Sequence, residues 1–200
     1  MNLTAEEIRV LLSEHLLREN LGAAVEEIQA MQGGRGMIAA DHEISILQGD
    51  VYDQVPCVMR GNDSLVLAPR RVLLVSNSCD AASENPRPLP LDLTVAPLLR
   101  LSRYRQMLID KGVLQEKADA SIEAIKRQEK TNVVYLPAGA GLEEEMVALL
   151  DKLQSLPSSD FERASPRRLA VLTQRGYWIL LVKLAMHFSR PHEGVERQAA

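Results

Sequence analysis

Pro69-Arg70-Arg71-Val72-Leu73-Leu74-Val75-Ser76-Asn77-Ser78 is the stretch on which the fold turns. Its four consecutive apolar residues are too few for a helix and suit a strand buried on both faces, and small polar residues close it. Upstream, Ile46-Leu47-Gln48-Gly49-Asp50-Val51-Tyr52 predicts a strand that opens on Gly49-Asp50. Val55 and Val58 continue it, and Pro56 points to an edge or a bulge because proline cannot donate to a ladder. Downstream, Leu93-Thr94-Val95-Ala96-Pro97 predicts a third strand, after a loop at 83–90 that carries three prolines.

Around these strands the apolar period changes to that of helices. Thr4-Ala5-Glu6-Glu7 is a capping-box pattern, with Ile8, Leu11, Leu12 and Leu16 following at helical spacing. The spacing predicts a helical leader over 4–30, which Gly33-Gly34-Arg35-Gly36 ends. That glycine cluster lacks the Lys-Ser/Thr ending of a phosphate loop and reads as a connector. Two short helices are expected over 102–130, broken at Gly112, and Val133-Val134-Tyr135-Leu136 is expected as a strand. The spacing of Met146, Leu149, Leu150 and Leu153 allows a helix over 146–156, but periodicity alone does not decide that segment. Thr173 is placed to cap a last helix over 173–188, with Tyr177, Leu180, Leu181, Leu184 and Phe188 forming one apolar stripe.

Composition bounds the class. Of 200 residues, 46% are hydrophobic and 25% charged, an ordinary globular balance with enough apolar material for a core. No apolar run reaches membrane-spanning length, and the acidic, amphipathic start lacks the pattern of a secretory signal. Cys57 and Cys79 are not a CxxC pair, so both are expected as thiols in a cytoplasmic protein. The net charge of −4 is unevenly spread: residues 1–60 hold 4 Lys and Arg against 10 Asp and Glu, while 98–130 hold 8 against 5. Residues 160–200 hold 7 against 4. Basic segments of this modest kind fit a local polyanion site or a self-complementary surface.

From Gly49-Asp50 through Pro97, strand for strand, the chain resembles the small SH3-like barrels of the MazF/PemK toxin family. Arg167-Arg168-Leu169 with Leu172-Thr173 and the last helix resembles that family's closing strand and C-terminal helix. The resemblance implies an α+β fold: a small, SH3-like, mainly antiparallel β-barrel with N-terminal, inserted and C-terminal helices. It divides the chain into a leader, 1–40, and a barrel domain, 41–200, with the insertion at 102–130. It also implies a toxin–antitoxin or phage-defence setting, a homodimer, and metal-independent cleavage of RNA. In the family an arginine ahead of the buried strand, within an Arg-Pro pair, stabilises charge at the scissile phosphate, and a polar residue after the proline of the Ala-Pro strand assists. Arg71, with Arg70 beside it, matches the first position, although Pro69 precedes the pair where the family has a proline after the arginine. The second position falls on Leu98 or Leu99, which cannot hydrogen-bond a phosphate.

Ser76-Asn77-Ser78-Cys79-Asp80 is a second constellation, set where a buried strand opens into a loop. Ser76 and Asp80 join Arg70 and Arg71 as candidate catalytic residues. Cys79 beside Asp80 has the makings of a nucleophile, but an adjacent carboxylate raises a thiol pKa. The plainer expectation is an Asx-type turn with Cys79 as a small buried filler. His15, His42, His187 and His192, with Asp50 and Asp80, show no metal-ligand spacing, so neither a metal nor a cofactor is expected. Aromatic residues, 4% of the chain, are too scattered to predict a base-stacking surface.

These readings converge on a non-catalytic interaction module that has kept the barrel without the cleavage chemistry. The alternative is an endoribonuclease toxin. A small-molecule enzyme built on Cys79 and Asp80 ranks last. The apolar face of Ile8, Leu12 and Leu16 predicts self-association or a docked protein partner; RNA is the other partner class, and no membrane is expected.

Overall fold

The computed structural model describes residues 36–40, 45–60, 64–81 and 91–189, with isolated positions 5, 6, 26 and 89. The helical leader and the 83–90 loop therefore lie almost wholly outside the described residues. Within them the chain is α+β, with eight strands in one antiparallel sheet. The strands are β1 (Ile38–Ala39), β2 (Val51–Arg60), β3 (Leu65–Leu74), β4 (Asp92–Arg100), β5 (Val133–Leu136), β6 (Met146–Leu149), β7 (Gln154–Pro157) and β8 (Arg167–Leu172). The helices are α1 (Ser78–Ala81), α2 (Leu101–Asp110), α3 (Gln115–Lys126), α4 (Ser158–Ala164) and α5 (Gln174–Ser189). The strand order is β1-β8-β2-β3-β4-β6-β5, and β7 also pairs with β4.

The buried run is the centre of this sheet. Val72, Leu73 and Leu74 are fully buried and pair with Pro97, Ala96 and Val95 of β4. Residues 146–156, whose spacing allows a helix and part of which the family resemblance makes a strand, are β6, a 3₁₀ turn (Leu150–Lys152) and β7, both strands pairing with β4. Replacing Leu74 by alanine is expected to lower the unfolding free energy by about 2–5 kcal/mol, because it empties a filled core site. Denaturant titration of both forms checks this.

Among the described residues the strand path stays open, so the expected SH3-like barrel is present there as a curled antiparallel sheet without closure. A curled sheet of β2, β3, β4 and β7 surrounds Val55, Leu74, Val95, Leu156 and Phe161, and Tyr52 meets Phe161 edge-on at 5.0 Å. Between β2 and β7, however, no ladder forms. One side chain spans the gap: the Gln154 amide accepts the Val58 N–H (2.8 Å) and donates to the Val58 carbonyl (3.0 Å). β7 is only four residues long and ends in Pro157, so it has neither the length nor the donors to continue a seam.

Two further clusters lie outside this curl. α5 packs Ile179, Leu180 and Val182 against Leu136, Ala148 and Ala170. α2 and α3, the expected insertion, set Leu101, Ile122 and Ile125 against Tyr135 and Val147. Thr173 caps α5 as expected, its hydroxyl accepting the Gly176 N–H at 3.1 Å. The stripe on that helix is corrected at its end: Phe188 is 66% exposed, while Trp178 and Lys183 are buried. A Cβ on Gly176 would lie 2.2 Å from the Met37 carbonyl oxygen, so the start of α5 is enclosed.

Side chains also finish the outer edge of β5. The Gln128 amide donates to the Tyr135 carbonyl (2.8 Å) and accepts the Tyr135 N–H (3.2 Å), and the Lys183 ammonium donates to the Val133 carbonyl (2.8 Å). An end strand closed in this way offers little template for another strand.

β2 begins at Val51, directly after the expected opening at Gly49-Asp50, and residues 45–50 ahead of it form a turn. The cause is Asp50, whose Oδ2 accepts the Leu47 N–H (2.9 Å) and so competes with ladder formation. Gly49 has φ +95°, and a Cβ there would lie 2.3 Å from Leu172 Cδ1, so the turn needs glycine.

Candidate functional site

β3 and β4 pair only over 72–74 and 95–97, then part. Into the notch between them open Arg70 and Arg71 from β3, Arg100 from the end of β4 and Arg103 from α2. Asp53 and Gln54 of β2 form one wall, Leu98, Leu99 and Met146 the apolar side, and the cleft holds about 490 Å³. A bulge positions the acidic wall: the β2–β3 register shifts between Tyr52 and Val55, and Gln54 takes φ +66°.

Four guanidiniums thus face one carboxylate, and three of them already have acidic neighbours. Arg71 Nε lies 3.6 Å from Asp53 Oδ2 with both side chains mostly buried. Arg100 Nε lies 3.0 Å from Glu144, and Arg103 Nη1 3.8 Å from Asp110, both pairs well exposed and so weakly held. Arg70 makes no ion pair among the described residues. Arginine stays charged at any physiological pH and offers a planar fork of donors that fits phosphate and carboxylate oxygens. The cleft can therefore hold an extended anion with spaced charges. Leu98 and Leu99 both line it, and neither adds a donor.

Ser76 and Asp80 are not part of this cleft. Five residues of extended chain separate Arg71 from Ser76, about 16 Å. The Ser76 hydroxyl accepts the Thr94 N–H at 2.7 Å, which ties the end of β3 to β4. Asn77 Oδ1 accepts the Cys79 N–H at 3.0 Å, the expected Asx turn, and Asp80 lies half-buried in α1. Cys79 is exposed, which corrects the expected buried filler; Cys57 is the buried thiol, and burial raises its pKa.

The other charged constellation is structural in its geometry. Asp50 is 1% exposed, and its Oδ2 takes Arg168 Nη1 at 3.0 Å and the Tyr52 hydroxyl at 3.3 Å. Burial raises the Asp50 carboxyl above its usual pKa, against the pull of the Leu47 amide and Arg168. No three His, Cys, Asp or Glu side chains are grouped to hold a metal among the described residues.

Sequence reasoning missed Arg100, Arg103 and Asp53. The basic excess of 98–130 was the available signal, but it does not say which of eight cations share a cleft. No protein-family model matches the chain, and no curated protein matches it either.

Proposed function

We propose that this chain is a cytoplasmic, non-catalytic interaction module on an SH3-like barrel of the MazF/PemK type, left open at the Gln154 seam. Its recognition surface is the arginine cleft, and its ligand is the phosphate backbone of single-stranded RNA. One observation carries the reading: four arginines from three separate elements converge on a single notch. Polyanion binding needs only fixed cations at backbone spacing. Cleavage needs more, namely a base for the 2′-hydroxyl and a donor for the leaving oxygen. Leu98 and Leu99 occupy the wall where such a donor would stand. A toxin–antitoxin or phage-defence setting fits a barrel that keeps RNA affinity without turnover.

The endoribonuclease reading has one observation in its favour. Asp53 stands 3.6 Å from Arg71, so a proton acceptor and a phosphate-stabilising cation share the cleft.

Fluorescence anisotropy with single-stranded RNA over a salt series, beside a metal-free cleavage assay, separates the readings. Salt-sensitive binding of intact RNA is expected. An Arg70→Ala/Arg71→Ala variant should weaken it and lower the slope of log affinity against log salt by about 1 per lost phosphate contact. Robust cleavage that disappears in both Arg71→Ala and Asp53→Asn would install the ribonuclease. Neither binding nor cleavage would remove RNA and leave a protein ligand for the module.

A further inference from the structure

The turn between β5 and β6 and the start of β8 lie around a second cavity, of about 410 Å³. Gly139 and Leu142 exchange both backbone hydrogen bonds (2.7 and 2.8 Å), and a Cβ on Gly141 would collide with the Leu169 carbonyl oxygen, so the turn sits directly on β8. Leu142 is buried in the core, which fixes where Glu143 stands. Arg167 enters from β8, where it pairs with Asp53 of β2. Most charges around this cavity are already matched. Of three successive glutamates, Glu144 pairs with Arg100 at 3.0 Å, while Glu145 pairs with Lys126 at 3.0 Å and accepts the Tyr135 hydroxyl at 2.5 Å. Of two successive arginines, Arg168 takes Asp50 at 3.0 Å. Glu143 and Arg167 are left over. Both are exposed, both line the cavity, and among the described residues neither has a partner, not even the other.

We infer that this cavity is a guanine subsite, in which Glu143 and Arg167 hold one base of an RNA strand whose phosphates lie in the arginine cleft. The inference rests on the RNA reading of that cleft. Two links make the cavity its neighbour. Asp53, on the cleft wall, is the cross-strand partner of Arg167, and paired residues share a face of the sheet. Glu144, next in sequence to Glu143, holds Arg100 of the cleft. The carboxylate then selects what enters. A phosphate is attracted by Arg167 but repelled by Glu143, so the charged backbone gains nothing by leaving the four arginines for this cavity. A base is neutral, and the bases of a single strand are splayed out and read along their edges. Guanine presents two adjacent donors, N1–H and the 2-amino group, beside two adjacent acceptors, O6 and N7. A carboxylate accepts both donors, and the guanidinium fork meets O6 and N7, the commonest specific contact of arginine with a base. No other base has two adjacent donors. Adenine and cytosine have one amino group and uracil one ring N–H, so each leaves half of the carboxylate unmet.

Fluorescence anisotropy of the full chain with short oligouridines, each carrying one central guanosine, adenosine, cytidine or inosine, tests the inference. The guanosine oligomer should bind about tenfold more tightly than the adenosine and cytidine ones, the discrimination that a bidentate pair supplies. Inosine should fall between them, because it keeps N1–H, O6 and N7 and lacks only the amino group. Glu143→Gln should abolish the preference, since an amide has one acceptor atom where the carboxylate has two, and Arg167→Gln should abolish it as well. Both variants should still bind oligouridine through the arginine cleft, with circular dichroism unchanged because both positions are exposed. Equal affinity of wild type for all four oligomers, or a preference for another base, would overturn the inference and leave the RNA reading intact. A guanosine preference that survives both variants would overturn it too, by placing base recognition elsewhere. No binding of any oligomer would overturn the RNA reading and the inference with it.

Discussion

Replacing Arg168 by alanine is expected to destabilise the fold by about 3–5 kcal/mol, the range for stripping one partner from a buried ion pair. The size follows from what Asp50 would be left with. Its side chain is 1% exposed, and Oδ1 already lacks a partner. Oδ2 would keep only the Leu47 amide and the Tyr52 hydroxyl. An ionised carboxylate so placed has lost its counter-charge, and Asp50 would take up a proton at higher pH than it does now. The damage should spread beyond the pair. The Asp50 carbonyl accepts the Leu74 N–H at 2.8 Å and the Gly49 N–H donates to the Leu74 carbonyl at 2.8 Å, so the turn at 45–50 is stitched to the central strand. Arg168 also donates to the Ser45 carbonyl at the start of that turn. Urea titrations of Arg168→Ala, Asp50→Ala and the double variant form the check. Strong coupling, with the double variant costing less than the two single losses together, is the expected pattern. A loss within about 0.5 kcal/mol for Arg168→Ala, the range of surface substitutions, would show that the pair is not buried in solution.

The same pair shows what the sequence could and could not disclose. Gly49-Asp50 was legible as the opening of a strand, and Arg167-Arg168-Leu169 as a closing strand, because each is a local pattern. That Asp50 and Arg168 meet across 118 positions is a tertiary fact, and no local pattern encodes it. Val72-Leu73-Leu74, the two inserted helices and the Thr173 cap were legible because propensity, period and burial agree there. α4 was not foreseen, since its seven residues hold one core side chain, Phe161, and so show no period. In the arginine cleft, Arg70 and Arg71 were visible as neighbours in sequence. Arg100 and Arg103 reach the same notch only because β4 turns directly into α2, and Asp53 only because β2 bulges. Convergence of that kind is made by backbone path, which composition does not carry.

Lys183 should make stability rise with pH over a window where most proteins are flat. The side chain is fully buried on α5, and its ammonium donates to the carbonyls of Lys130 and Val133. Burial lowers its pKa from 10.5 to about 7. Between those two values the unfolded chain holds a proton that the folded chain has released, so unfolding becomes harder as pH increases. Below about pH 7 both states are protonated and the full penalty of a buried charge applies. It is relieved as pH rises through 7, and is gone once the unfolded lysine also deprotonates. The span from 10.5 to about 7 corresponds to a change on the order of 5 kcal/mol. Lys183→Met isolates the effect, because the thioether fills similar space and cannot titrate. Its loss of two donated hydrogen bonds adds an offset that does not depend on pH. Measured by urea unfolding between pH 5 and 9.5, the difference between wild type and variant should be constant up to about pH 7 and then move steadily in favour of wild type. The upper limit avoids Tyr52 and Tyr135, whose hydroxyls burial holds above the ordinary value, so that stability tied to them is lost only as pH rises past 10. A difference that stays constant up to pH 9.5 would mean that Lys183 remains charged in the folded chain, with its two carbonyl partners meeting the cost of burial.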